Sequence, residues 1–154
     1  MKIRPKKKLG QNFLIDKNVI NIIINQANID SDDVVMEVGP GTGNLTEKIL
    51  EKNPKKITVI EKDKRLLEVL KKKFNEEIEI INSDMLKYPY EKNLSNKTII
   101  FGNLPYNIST KILSKWIEIK KLDYYCKQLI LMFQKEVADR IIAEVNSKNY
   151  SRLS

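Results

Sequence analysis

Residues 34–43 read Val34-Val35-Met36-Glu37-Val38-Gly39-Pro40-Gly41-Thr42-Gly43, and the order of residue types in this stretch decides the fold. A short, nearly continuous apolar run of this length is what a strand buried on both faces of a parallel sheet looks like. It runs straight into a glycine-rich turn, and a helix is expected from about Asn44. Glycines at a strand-to-helix turn let a ligand come close to the backbone, and they do so at the carboxyl edge of the sheet.

The same alternation continues outward. Lys56–Glu61, Glu77–Ile81, Thr98–Gly102 and Gln128–Phe133 are further apolar, β-branched runs and are expected to be strands. Between them lie segments of helical period. Leu66, Leu67, Leu70 and Phe74 share one face of a helix that Asp63 is placed to cap. Ile112, Leu113, Trp116 and Ile117 do the same after Ser109. A first helix is expected from about Asn18 to Asn28. The last periodic set is Val137, Ala138, Ile141, Ile142 and Val145, followed by a polar loop over 146–154. Right-handed crossovers then give a doubly wound α/β domain with a mostly parallel sheet. Its fifth strand is expected at an uncovered edge.

At 154 residues the chain is one domain with a real core. No apolar run approaches the roughly 18 residues of a spanning helix. Histidine is absent, which removes Ser-His-Asp and Cys-His triads, histidine general bases and most transition-metal sites. The single cysteine, Cys126, has no internal disulfide partner and reads as a small core hydrophobe in a reducing compartment. The formal net charge is +8, and six basic residues against one acid lie within 1–29. A basic arm on a near-neutral body suits a polyanion. With 24 Lys to 4 Arg, a compositional bias explains the same excess equally well.

The glycine loop departs from two phosphate-binding patterns. A dinucleotide fingerprint calls for glycine where Asn44 stands, and the phosphate-loop Gly-Lys-Ser/Thr is missing. Glu37 would repel a pyrophosphate but suits a cationic amine. Glu61 ends the second strand, where a carboxylate accepts both ribose hydroxyls. Asp84 follows the third strand, within reach of an adenine amine. Three acids at successive strand ends describe an adenosyl ligand without phosphates, and S-adenosylmethionine is the expected cofactor.

After the fourth strand comes Asn103-Leu104-Pro105-Tyr106. An adenine exocyclic amine is a poor nucleophile because its lone pair is conjugated into the ring. The Asn103 side-chain oxygen and the Leu104 carbonyl can accept its two hydrogens and aim the lone pair at a methyl donor. Pro105 fixes the turn, and Tyr106 can stack on the base for about 1–3 kcal/mol. Positioning supplies much of the acceleration in such a transfer, and neither histidine nor metal is required.

With these residues assembled, the chain resembles the KsgA-type small-subunit ribosomal RNA adenine dimethyltransferases. The matching stretches are Leu9-Gly10-Gln11-Asn12-Phe13-Leu14, Glu37 through Gly43, Glu61, Asp84-Met85, Asn103 through Thr110, and Phe133-Gln134-Lys135-Glu136-Val137-Ala138-Asp139-Arg140. The resemblance implies a Rossmann-like methyltransferase fold over 18–154, preceded by a basic arm, 1–17, that carries part of the cofactor site. It implies cofactor contacts from Gln11, Asn12, Leu14, Glu37, Gly39, Gly41, Gly43, Glu61, Asp84, Met85 and Asn103. Tyr106 and Phe133 would sandwich the target base, with Lys6, Lys7 and Lys8 on the RNA backbone. The implied reaction is dimethylation of two adjacent adenosines in a hairpin loop near the 3′ end of small-subunit rRNA, in a pre-30S-type particle of a bacterial cytoplasm. The enzyme acts on a base held out of its stack, with no membrane or metal and a monomeric full-length form. Family members continue past Tyr150 with two more strands and a small helical domain, so a chain truncated at its carboxyl edge is expected.

Two rivals are an Erm-type large-subunit rRNA methyltransferase and a non-catalytic RNA-binding or assembly module. The basic arm offers a direct test. Neutralising Lys6, Lys7 and Lys8 is expected to weaken RNA binding and flatten its salt dependence by roughly 0.7 in slope per lost single-strand phosphate contact. An unchanged slope in a binding titration would return the arm to compositional bias.

Overall fold

A computed structural model of the chain describes residues 13–95 and 97–154. Five strands, β1 (Val34–Val38), β2 (Lys56–Glu61), β3 (Glu79–Asn82), β4 (Thr98–Asn103) and β5 (Cys126–Met132), form one sheet in the order β3-β2-β1-β4-β5. Every pairing is parallel. The chain steps outward from β1 to β3 and then returns to the other side of β1 for β4. The carboxyl ends of β1 and β4 are therefore the topological switch point, where open α/β sheets leave a crevice.

Side chains on the strands alternate between two cores. Val35, Ile57, Val59, Ile99 and Phe101 face one, with α1 (Lys17–Asn25), α2 (Asn44–Leu50) and α3 (Lys64–Phe74) packed over them. Met36, Val38, Ile60 and Ile100 face the other, under α5 (Ser109–Ile117) and the one-turn α4 (Tyr90–Asn93). Period-two burial on both faces is why these runs read as continuous apolar sequence. Trp116 and Tyr90 are fully buried and meet edge to face at 5.4 Å, each burying enough apolar area for about 2–3 kcal/mol. The β1-α2 and β2-α3 units cover one face, and the units after β3 and β4 cover the other, as right-handed crossovers on either side of a switch point require.

The structure departs from the sequence reading at several boundaries. The first helix ends at Asn25, because carbonyls just beyond it are taken by β5. Gln128 Nε2 donates to the Gln26 carbonyl (2.7 Å) and Lys127 Nζ to that of Asn28 (2.8 Å). Strand β3 starts at Glu79, since the Glu77 N–H is spent on the Phe74 carbonyl in the turn that closes α3. The turns α4 and α6 (Leu122–Tyr125) are too short to leave a periodic signal. The last helix, α7 (Lys135–Ile141), stops before Val145, leaving Ile142 and Val145 exposed. It has no buried residue, and short helices without a packed face do not extend. Strand β5 lies at the sheet edge with its side chains mostly half-buried.

An ion pair between a fully buried acid and a partly exposed lysine ties β5 to the segment before β1 at the amino-terminal edge of the sheet. Asp33 is fully buried; its Oδ2 accepts from the Asp30 N–H and from Lys127 Nζ, both at 2.7 Å, and its Oδ1 has no hydrogen-bond partner among the described residues. Lys127→Met keeps the apolar stem and removes the cation. Urea denaturation of this variant is expected to show a loss of about 2–3 kcal/mol, because a buried carboxylate is left short of a donor. A change below about 0.5 kcal/mol would show that Asp33 does not depend on it.

Candidate methyl-donor and nucleobase site

The glycine turn is built against the end of β4. Gly39 has φ +76°, and a Cβ placed on it would lie 2.7 Å from the Asn103 carbonyl oxygen. Only glycine fits, on both conformational and steric grounds. The Gly39 N–H donates to the Ile60 carbonyl at 3.1 Å, so the turn is stitched to β2 as well. Gly43, at φ +77°, opens α2 where a Cβ would run into the Phe74 ring at 2.5 Å. The turn is thus a cradle of backbone at the switch point.

The acids expected around it end three neighbouring strands, each in a different electrostatic state. Glu37 lies beneath the turn, buried, with Thr46 Oγ1 donating to its Oε2 at 2.6 Å. Loss of hydration lifts its pKa to about 7; the Thr46 bond opposes this, and nearby Glu61 adds to it. Glu61 is buried and also held above the ordinary carboxylate range by desolvation, although the Lys62 and Asp63 N–H groups donate to its Oε1 at 2.8 Å each and the Gly41 N–H also favours the charged form. Asp84 is more open. Lys62 Nζ donates to its Oδ2 at 2.7 Å and the Leu86 N–H to its Oδ1 at 3.0 Å, which keeps its pKa low. The Lys62 side chain is largely exposed, so this pair costs little to open.

The loop that carries Asp84 and Met85 is clasped by the second core. Tyr90 Oη donates to the Met85 carbonyl at 2.8 Å, and Lys115 Nζ, from α5, donates to the Leu86 carbonyl at 2.7 Å. Met85 is buried, with its methyl 3.8 Å from the Cβ position of Gly39.

The turn after β4 faces a second space. A cavity of about 230 Å³ is lined by Phe13, Leu14, Ile15, Asp16, Asn103, Tyr106, Met132 and Phe133. Leu104 points the other way and is buried in the core. The Pro105 carbonyl accepts the Ile108 N–H (3.1 Å), and the Tyr106 carbonyl accepts Ser109 Oγ (3.3 Å), fixing the bend before α5. Tyr106 and Phe133 also border an open groove with Gln134, Lys135, Glu136 and Asp139. Asn103 bridges the cradle and the cavity: its carbonyl meets Gly39 and the residue lines the space shared with Tyr106 and Phe133. Of the sequence-derived site residues, Lys6, Lys7, Lys8, Gln11 and Asn12 lie outside the described residues.

Four cavity residues carry no site role in the sequence analysis: Phe13, which stands there only within a matching stretch, and Ile15, Asp16 and Met132. Ile15 and Asp16 come from the segment before α1, where Asp16 caps the helix by accepting from the Asn18 N–H at 2.8 Å. Met132 pairs with Asn103 across the β4–β5 ladder; the parallel register would have found it. Asn44 was read only as a missing glycine. Its Nδ2 in fact donates to the Leu14 carbonyl at 2.8 Å, thirty residues away in sequence. Among the described residues, no group of three or more His, Cys, Asp or Glu is placed to hold a metal ion, and no helix is long and apolar enough to cross a membrane.

A parallel sheet of this order, with a glycine cradle at its switch point and acids on successive strand ends, is a Rossmann-like methyltransferase fold. Solved structures agree. A dimethyladenosine transferase from Plasmodium falciparum superimposes with a TM-score of 0.80 at 35% identity, over 92% of this chain and 50% of that one. The 23S rRNA methyltransferase ErmE gives 0.71 at 28% identity, over 84% and 50%. The family model described as ribosomal RNA adenine dimethylase matches residues 3–154. The chain belongs to that family. Similar curated relatives include ribosomal RNA small subunit methyltransferase A of Pelagibacter ubique, 54% identical over the whole of this chain, and that of Ehrlichia canis, 45% identical over 99% of it. The chain spans about 58% of the length of both.

The Glu37 carboxyl sets a pH test. Its folded pKa lies above the unfolded value, so between about pH 4.5 and 7 the native state holds a proton that the unfolded state has lost, and stability falls as pH rises through that window. Glu37→Gln keeps an acceptor for Thr46 and removes the titration. Relative to wild type, the variant is expected to gain up to about 3 kcal/mol between pH 4.5 and pH 7. Parallel pH profiles for the two proteins would contradict the burial argument.

Proposed function

We propose that this chain carries the donor site and the target-base site of an enzyme that transfers methyl groups from S-adenosylmethionine to the exocyclic amines of two adjacent adenosines in a hairpin loop near the 3′ end of small-subunit rRNA. The observation that carries this reading is the double contact of Asn103, with the Gly39 cradle on one side and the Tyr106–Phe133 cavity on the other. Family membership, and relatives named for the small ribosomal subunit, support it.

The residues fit the cofactor. Gly39, Gly41 and Gly43 present side-chain-free backbone at positive φ at the switch point, and the turn carries no phosphate-binding lysine or third dinucleotide glycine. Gly39, Gly41 and Gly43 would admit the methionine part along the backbone, with Met85 beneath. Glu61 would accept the ribose hydroxyls. Asp84 would take the adenine amine once Lys62 swings away. Glu37 would be drawn into its charged form by the ligand's ammonium group, so that binding near neutral pH releases a proton. When bound, S-adenosylmethionine supplies a methyl group on a sulfonium sulfur. Leu14, Gln11 and Asn12 would close the site from the amino-terminal side.

On the acceptor side, the Asn103 side-chain oxygen and the Leu104 carbonyl accept the two N–H bonds of the target amine. The nitrogen becomes more pyramidal and its lone pair turns toward the donor. Pro105 holds the bend rigid, and Tyr106 and Phe133 hold the base between two rings. Lys6, Lys7 and Lys8, on the basic arm 1–17, would neutralise RNA phosphates, while 18–154 forms the transferase domain. The substrate is small-subunit rRNA, free or in a pre-30S-type particle, the setting is a bacterial cytoplasm, and the full-length enzyme acts as a monomer. The greater identity to the small-subunit enzymes, 54% against 28% for ErmE, supports this reading over large-subunit methylation.

Asn103→Ala tests the role of the bend. With S-adenosylmethionine and a hairpin bearing two adjacent adenines, mass spectrometry is expected to show dimethyladenosine from the full-length wild-type enzyme. The variant is expected to fall by about 100-fold or more in kcat with its unfolding midpoint unchanged. Full activity in the variant would remove Asn103 from the chemistry.

A further inference from the structure

Part of the wall of the nucleobase cavity is the segment Phe13 to Asp16. It has no place in the sheet, and helix α1 begins only after it. Two contacts fasten it to the glycine turn. The Phe13 ring lies 3.3 Å from where a Cβ of Gly41 would be, and Asn44 Nδ2, at the start of α2, donates to the Leu14 carbonyl at 2.8 Å. Asn44 follows Gly43 directly and is half-buried. The backbone that cradles the donor and the wall that confines the target base are therefore joined by one ring contact and one directional hydrogen bond, the latter from Asn44.

We propose that Asn44 is a positioning residue that couples the two sites: donor bound in the glycine turn fixes the start of α2, and the Asn44–Leu14 bond passes that order to the wall of the base cavity. This rests on the assignment of donor and base sites above. The physical content is linkage. If ordering the wall is part of the cost of binding a base, then a donor that orders it first lowers that cost, and each ligand raises the affinity of the other by the same factor. The polarity of the bond matters too. Asn44 must donate, because the Leu14 carbonyl can only accept.

That polarity provides the test. Asn44→Asp is nearly isosteric but presents an acceptor to an acceptor, while an acid in the first turn of a helix is locally favourable. The variant is expected to melt at or above the wild-type temperature and still lose the clamp. Asn44→Ala removes the bond without adding charge. The measurement is the affinity of a hairpin RNA with two adjacent adenines, with and without saturating S-adenosylhomocysteine, which cannot be turned over. In wild type the homocysteine ligand is expected to tighten RNA binding by about tenfold, within the usual range of such couplings. In both variants the effect should shrink to less than about twofold, with affinity for the homocysteine ligand alone within about threefold of wild type. Coupling retained in Asn44→Asp would overturn the proposal. So would a loss of coupling matched by a fall in melting temperature and donor affinity, which would mark Asn44 as merely structural. Failure of the wild-type chain to bind the homocysteine ligand at all would instead strike the donor-site assignment itself.

Discussion

The approach of Gly39 to the carbonyl of Asn103 is the constraint on which the site depends. Parallel pairing of Val38 with Gly102 brings the two strand ends side by side, and at that point the chain must turn away in two directions at once. A side chain on residue 39 would push the strands apart. Its absence lets the Gly39 turn and the Asn-Leu-Pro-Tyr bend lie directly against each other. Methyl transfer between two bound molecules needs that proximity more than any acid or base, because positioning is where most of its acceleration lies. The rest of the fold serves to hold the contact: Ile60 accepts the Gly39 N–H, Tyr90 and Lys115 hold the Met85 loop, and Ser109 anchors the bend.

The acids around the cradle are graded. Glu37 is buried and near neutral pKa, Glu61 is buried but laced with N–H donors, and Asp84 is held ionised by an exposed lysine. The gradient runs from the interior outward along β1, β2 and β3, and it suits a ligand that is cationic at one end and a neutral nucleoside at the other. A phosphate-bearing ligand would meet repulsion at each step.

Much of this could be read from the sequence, and the physical reason is that the buried strands are encoded locally. Val34–Val38 and Lys56–Glu61 end where expected because a nearly continuous apolar run fits a strand buried on both faces of a parallel sheet. Glu37 reads in sequence as a partner for a cationic amine; its burial beneath the turn, with Thr46 as donor, comes from the fold. What escaped depends on partners distant in the chain. Gln128 and Lys127 end α1 by taking its trailing carbonyls, a contact about a hundred residues long. Asn44 looked like a failed glycine until Leu14 came into view beside it. The short α7 ends at Ile141 with no buried residue and leaves Ile142 and Val145 exposed, something periodicity alone does not encode. Ile15, Asp16 and Met132 line the cavity through tertiary placement and carry no motif.

The most direct measurement of the central claim is a two-ligand titration of the isotopically labelled chain, followed by nuclear magnetic resonance at the Gly39 backbone and the Asn103 side-chain amide. S-adenosylhomocysteine should move both signals in one saturable step. An adenine-bearing hairpin added afterwards should move Asn103 again, together with Tyr106 and Phe133, and leave Gly39 nearly still. If the Asn103 amide responds to only one of the two ligands, the bend does not belong to both sites and the central claim is wrong.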